Sequence, residues 1–227
     1  MRPIERGVNL KLFKEYGDAR DDLINQLGAY CSYCEMRIPT PAVEHIQPKS
    51  LPNGLELAWD NFLLACNSCN SVKKDKNIDD NNLNNYFWAD SDNPFRAFYY
   101  EQNRAPQIST SLTDFQQQIA KNTLELTGID REPLHPKLSK KDRRWKERNE
   151  AWDDALSVKE DFKSNSSEEM KNTIIRLAKA KGFWSVWMTV FADDINMRYL
   201  LIQEFKGTSQ ACFDASMQPI HRAGGQI

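Results

Sequence analysis

The sequence predicts an α+β chain that is mostly α: a small metal-stapled hairpin-and-helix module followed by a helical C-terminal part. Three observations predict it. Two Cys-x-x-Cys pairs, Cys31/Cys34 and Cys66/Cys69, enclose 31 residues that hold two strand-like runs. A third short pair of runs, 97–101 and 106–109, flanks Asn103-Arg104 as a second hairpin. From Thr113 onward, apolar residues recur at helical spacing between polar caps and glycine stops. At 227 residues and 40% hydrophobic content, the chain is one domain or a small domain with an elaboration. We expect a module with its N-terminal helix over 1–95 and a hairpin plus helices over 96–227.

Each Cys-x-x-Cys turn points two sulfurs at one centre, and two such turns supply the four thiolates of a tetrahedral Zn²⁺ site. A redox dithiol needs only one pair in a βαβ setting. The charged start Met1-Arg2-Pro3-Ile4-Glu5-Arg6 lacks the apolar stretch of a secretory leader, so a reducing cytoplasm is expected and disulfides are disfavoured. Four protein ligands leave no open position, which makes this zinc structural.

Before the first pair, Asp18 suits a helix cap and Gly28 its stop. Between the pairs, Ala42-Val43-Glu44-His45-Ile46 alternates like a strand ended by Pro48, with Val43 and His45 on one face and Glu44 and Ile46 on the other. A turn at Pro52-Asn53-Gly54 leads to Phe62-Leu63-Leu64-Ala65 as a second strand. A helix starting near Cys69 then carries Asn70, Val72, Lys73 and Lys74. Residues 76–85 are a polar loop. Thr113 and Gln116 form a capping box for a helix stopped by Gly128. A long charged helix is expected from Pro136 to about Val158, with Leu138, Trp145, Trp152 and Leu156 on one face. Another runs from Glu168 to Lys181 and stops at Gly182. Phe183, Trp184, Trp187, Val190 and Phe191 fall at core spacing, and a last helix runs from Asp193/Asp194 to about Phe205. Cys212, His135 and His221 have no partners at ligand spacing.

Within the module the residue types suit metal-assisted phosphodiester hydrolysis. A near-neutral imidazole, His45, can take a proton from water. A hard ion, Mg²⁺ or Mn²⁺, takes oxygen ligands, and the Glu44 carboxylate and Asn70 amide oxygen supply them. Asn61 would pin the loop or orient the His45 ring, and Lys73 or Lys74 would steady a phosphate.

These residues resemble the HNH (ββα-metal) endonucleases of the zinc-stapled subtype. The resemblance rests on C-x-x-C, then Glu-His-Ile-x-Pro, Asp-Asn-Phe-Leu-Leu-x-Cys, and Asn-x-x-Cys-Asn-x-x-Lys, over about residues 31–76. It implies that His45 is the general base, Asn61 the central Asn, and Asn70 a metal ligand. Glu44 stands where that family more often has Asp. The Met-Arg-Pro-Ile-Glu-Arg start, the Glu-His-Ile-x-Pro-Lys core and the helical C-terminal half are similar to the HNH component of retron and Septu-type anti-phage defence systems. That similarity implies an ABC/SMC-type ATPase as partner.

Net charge −2 and pI about 6 are not the bulk signature of a nucleic-acid binder. Tight binding by this chain alone is not expected, and a partner should contribute to substrate binding. The densest basic stretch, Lys137 to Arg148, holds seven Lys/Arg against two acids and is the best candidate for phosphate contact. A solvated face explains it equally well. No apolar run approaches the ~20 residues of a membrane span. The favoured substrate is DNA. The alternatives are an RNA-cleaving (tRNA) toxin, because both backbones present the same phosphate, and a non-catalytic zinc module that binds nucleic acid or protein.

Overall fold

Asp18 lies in a 3-10 turn, Tyr16–Ala19, whose capping box pairs it with Glu15. In this computed structural model, which describes residues 1–52, 54–74 and 76–227, the turn leads directly into α1 (Arg20–Leu27). Gly28 ends α1 at φ 74°, a conformation that L side chains rarely adopt. Leu23 and Leu27 turn their buried side toward the first hairpin.

That hairpin pairs β1 (Ala42–His45) with β2 (Phe62–Ala65) antiparallel, Glu44 opposite Leu63 and His45 opposite Phe62. Every residue of β2 is buried, which is why the strand is continuously apolar and does not alternate. The expected turn at 52–54 includes Asn53, which lies outside the described residues. One residue after β2, α2 (Asn67–Lys73) begins. It starts earlier than expected because the Cys66 sulfur accepts from the Cys69 amide, so the first cysteine of the second pair is itself the N-cap.

A second hairpin, β3 (Phe98–Tyr99) with β4 (Gln107–Ile108), turns through Asn103 at φ 61°. The helix α3 (Asp114–Thr127) carries the Thr113–Gln116 capping box and ends at left-handed Gly128. The long charged helix differs from expectation. It is α4 (Arg144–Ser164), and 136–143 is a chain of turns. Asp142 accepts from the Arg144 backbone and side chain and so fixes the start. The buried stripe of α4 is Arg144, Arg148, Ala151, Trp152 and Ala155. Leu138 is therefore outside the helix, and Leu156 is 37% exposed.

After Ser167 caps α5 (Glu168–Lys181), the chain turns at Gly182 into α6 (Trp184–Val190) and α7 (Ile195–Glu204), which Asp194 caps. A Cβ at Gly182 would stand 2.6 Å from the Glu35 carbonyl, so only glycine permits this approach. The aromatic patch is core: Phe183, Trp184, Trp187 and Phe191 are buried, as is Cys212. Contacts tie the two ends of the sequence together. Arg2 donates to the Leu27, Phe205 and Lys206 carbonyls, and Ile4 bridges Thr208. Among the described residues no helix is long and apolar enough to cross a membrane.

Candidate active site and metal centre

The two Cys-x-x-Cys turns meet. All four sulfurs lie within 4.8 Å of one another and all four residues are buried. Cys34 and Cys66 sulfurs are 3.7 Å apart, close to the edge of about 3.8 Å expected for a tetrahedron of Zn–S bonds near 2.3 Å. The Cys34 and Cys69 amides point at the first sulfur of their own turns. Burial pushes the Cys34 and Cys69 thiols well above their ordinary range. Four thiolates here therefore need a compensating cation, and the donor set and spacing fit Zn²⁺. Four protein ligands would leave no open position, which is consistent with a structural ion.

The surroundings supply further positive charge, from a helix more than seventy residues on. Arg144 of α4 is buried, and its Nη1 stands 3.1 Å from the Cys69 sulfur. The same guanidinium donates to the Thr127 and Gly128 carbonyls and to both Asp142 oxygens. Burial would lower its pKa, but Asp142 and the Cys69 sulfur outweigh burial and hold it charged. One turn on, Arg148 is also buried, over the Phe183 ring at 5.7 Å. A Zn²⁺ with four thiolates carries two negative charges, which explains why a helix can turn two arginines inward.

On the other side of the hairpin, β1 and α2 line an open cleft of about 210 Å³. Glu44, His45, Asn70, Lys74, Lys49 and Tyr16 border it. Strand alternation would separate Glu44 from His45, yet both reach this cleft, where β1 ends. The His45 ring nitrogen Nε2 lies 2.9 Å from the Glu56 carbonyl. A carbonyl only accepts, so Nε2 carries the proton and Nδ1 keeps a lone pair. Tyr16 and Phe62 pack edge-on against the ring. Partial burial, and then Lys49 and Lys73, push the His45 pKa below its usual value against the pull of the Glu56 bond, so the ring stays neutral at neutral pH.

Asn61 does not touch that ring. Its amide donates to the Gln47 and Leu55 carbonyls and its oxygen accepts from the Gln47 amide, closing the loop between the strands. Of the two expected roles for Asn61, the geometry is that of the loop pin. The ring is oriented by the Glu56 carbonyl instead.

Lys73 departs from expectation. It is 1% exposed, and its ammonium sits 2.8 Å from Glu44 Oε1 and 2.6 Å from the His45 carbonyl. A helix that packs its Lys73 face on β1 leaves that cation no route to a phosphate in solvent. Only Lys74 of the pair borders the cleft. The basic stretch is likewise divided: Arg144 and Arg148 point inward, and Arg143 and Lys146 pair with Glu147 and Glu150 on α4.

A hairpin and helix around an oxygen-lined cleft, stapled from behind by four cysteines, is the architecture of a ββα-metal nuclease module. Residues 31–76 match the family of HNH endonucleases. The chain thus carries an HNH endonuclease domain, which implies hydrolysis of nucleic-acid phosphodiester bonds with a catalytic divalent metal. No curated protein and no solved structure matches it.

Sequence reasoning missed the Glu56 carbonyl, Lys49 and Arg144. A backbone acceptor has no sequence signature, and a lysine after Glu-His-Ile-x-Pro shows no role by its type alone. Arg144 and Arg148 were discoverable, since their four-residue spacing continues through Ala151, Trp152 and Ala155 as one helical stripe.

Proposed function

We propose that this chain cuts nucleic acid, DNA in preference to RNA, as the nuclease subunit of an anti-phage defence complex with an ABC/SMC-type ATPase. One observation carries the catalytic reading: His45, its Nε2 bonded to the Glu56 carbonyl, shares one cleft with Glu44 and Asn70. His45 Nδ1 accepts a proton from the attacking water. The Glu56 carbonyl holds the tautomer that makes this possible, and Asn61 holds the loop that presents that carbonyl. Glu44 and Asn70 would hold a Mg²⁺ or Mn²⁺ ion through side-chain oxygens. When bound, that ion neutralises charge on the phosphate and on the leaving oxygen. Lys74 and Lys49 face the incoming phosphate.

The subunit reading draws on the resemblance of the sequence and on one surface feature. Val8, Leu10 and Leu12 stand 84, 89 and 98% exposed in one unpaired segment, and apolar side chains displayed together mark interaction surfaces.

The test is cleavage of plasmid DNA and of a total tRNA pool with Mg²⁺ or Mn²⁺. Wild type and His45→Ala run together, each assayed for zinc, with and without the ATPase and ATP. Cutting by wild type alone is expected, with zinc equal in both proteins. Folded, zinc-loaded wild type that stays inert with the ATPase present would overturn the reading in favour of a binding module.

A further inference from the structure

We propose that a basic track leads out of the cleft along the outer side of α2 and takes the phosphate backbone of the substrate strand beyond the cut bond. This rests on the nuclease reading of the cleft. Lys74 borders both the cleft and an adjoining groove of about 510 Å³. Across that groove from α2 stand Arg131 and Lys141, from the turns between α3 and α4. Arg131 in turn borders a further hollow of about 140 Å³ that holds Lys76 and Lys137. Cleft, groove and hollow therefore form one path, each sharing a cation with the next.

Three features mark the path for a polyanion. Its six cations, Lys49 of the cleft included, make no ion pair among the described residues, whereas Lys146, Lys163, Lys171 and Lys179 on other helices each pair with a glutamate. Among the described residues the acid that borders the groove is Asp142, and it is bound on both oxygens by Arg144. Glu125 and Asp130 lie at the far hollow, where the path ends. There, burial lowers the Lys76 pKa, Glu125 opposes the shift, and Lys137 and Arg131 add to it.

The groove wall explains the choice of backbone over bases. Ser68 and Ser71 line it and, among the described residues, no aromatic side chain does, so bases find no stacking platform. Binding along this path is indifferent to sequence and sensitive to salt. It also reconciles a net charge of −2 with a polyanionic substrate: the excess of cations is local.

The test uses the full chain with His45→Ala, so that nothing is cut. Its affinity for duplex DNA, single-stranded DNA and single-stranded RNA is measured over a salt series, with and without Arg131→Ala/Lys137→Ala/Lys141→Ala. Zinc content and circular dichroism check the fold, and Lys137→Ala alone, at an exposed turn, serves if the triple variant misfolds. Lys163→Ala/Lys171→Ala is the control on another face. The triple variant is expected to bind at least roughly tenfold more weakly and to flatten the slope of log K against log salt by about 2–3 units. The nucleic acid that shows the loss is the one the track serves. Unchanged affinity and slope, or no binding by the His45→Ala chain to any of the three, would overturn the track. Salt-sensitive binding lost in the triple variant, by a wild type that cuts nothing even with the ATPase, would leave the track standing and remove the nuclease.

Discussion

Lys73 is the residue whose neighbours constrain the site most. Its ammonium is withdrawn from water and held between the Glu44 carboxylate and the His45 carbonyl, so one side chain fixes both residues at the head of the cleft. Truncating one partner of a buried pair leaves the other charge uncompensated. Lys73→Met is expected to lower unfolding free energy by about 3–5 kcal/mol, read from urea midpoints. Glu44→Gln in the same chain should recover a large part of that loss, the signature of direct coupling. A different outcome belongs to Asn61: Asn61→Ala should slow cleavage while the Mg²⁺ dependence stays put, because its bonds go to loop carbonyls and not toward the ion. A shifted metal titration would make Asn61 a ligand. For His45, whose folded pKa lies below its usual value, neutral base persists as pH falls toward that pKa. The acid limb of the pH–rate profile should therefore lie below about 6.5, a limb His45→Ala must lack. That Glu44, His45 and Asn70 meet was legible, because the motif spacing places them on a strand end and the helix that follows its hairpin, and one cleft holds all three. The place of Lys73 was not legible, because a lysine at a helix end reads as solvated until packing is known.

At the scale of elements, the cysteine turns and α4 form one unit although 75 residues separate Cys69 from Arg144. The meeting of the four cysteines was evident from spacing, and the hairpin from its β-branched and apolar runs. The start of α4 was not. Arginine and lysine look alike in a charge count, whereas only arginine's planar fork can reach a sulfur, a carboxylate and two carbonyls together. Arg144→Met should cost roughly 10- to 100-fold in zinc affinity, measured by competition with a chromogenic chelator. Lys146→Met, on the solvent side of the same helix, should cost none. Cys66→Ser removes both a zinc ligand and the cap of α2, and is expected to abolish zinc retention and lower the melting temperature of the whole chain.

The whole molecule closes on itself through its first residues. Arg2 reaches the carbonyls after α7, Arg6 donates to the Asp60 and Phe62 carbonyls beside β2, and the Glu35 carbonyl accepts from Phe183. The Arg2 and Glu35 bonds cross the boundary near residue 95, so the two expected parts should unfold in one transition and a 1–95 fragment should be unfolded. Two separate transitions by calorimetry would assign them independent stability. None of this is legible in periodicity, which reports which face of an element is apolar but not what it meets. The cysteine cluster and the cleft proposed to hold the catalytic ion also differ in access. The first is made of cysteines that are at most 3% exposed, and the second is open. Chelators will therefore act on two clocks. An ion in the cleft exchanges at once and activity returns when it is resupplied; zinc escapes only when the protein opens. A brief EDTA wash should be harmless after adding Mg²⁺, while long incubation, or a short one near the melting temperature, should inactivate for good.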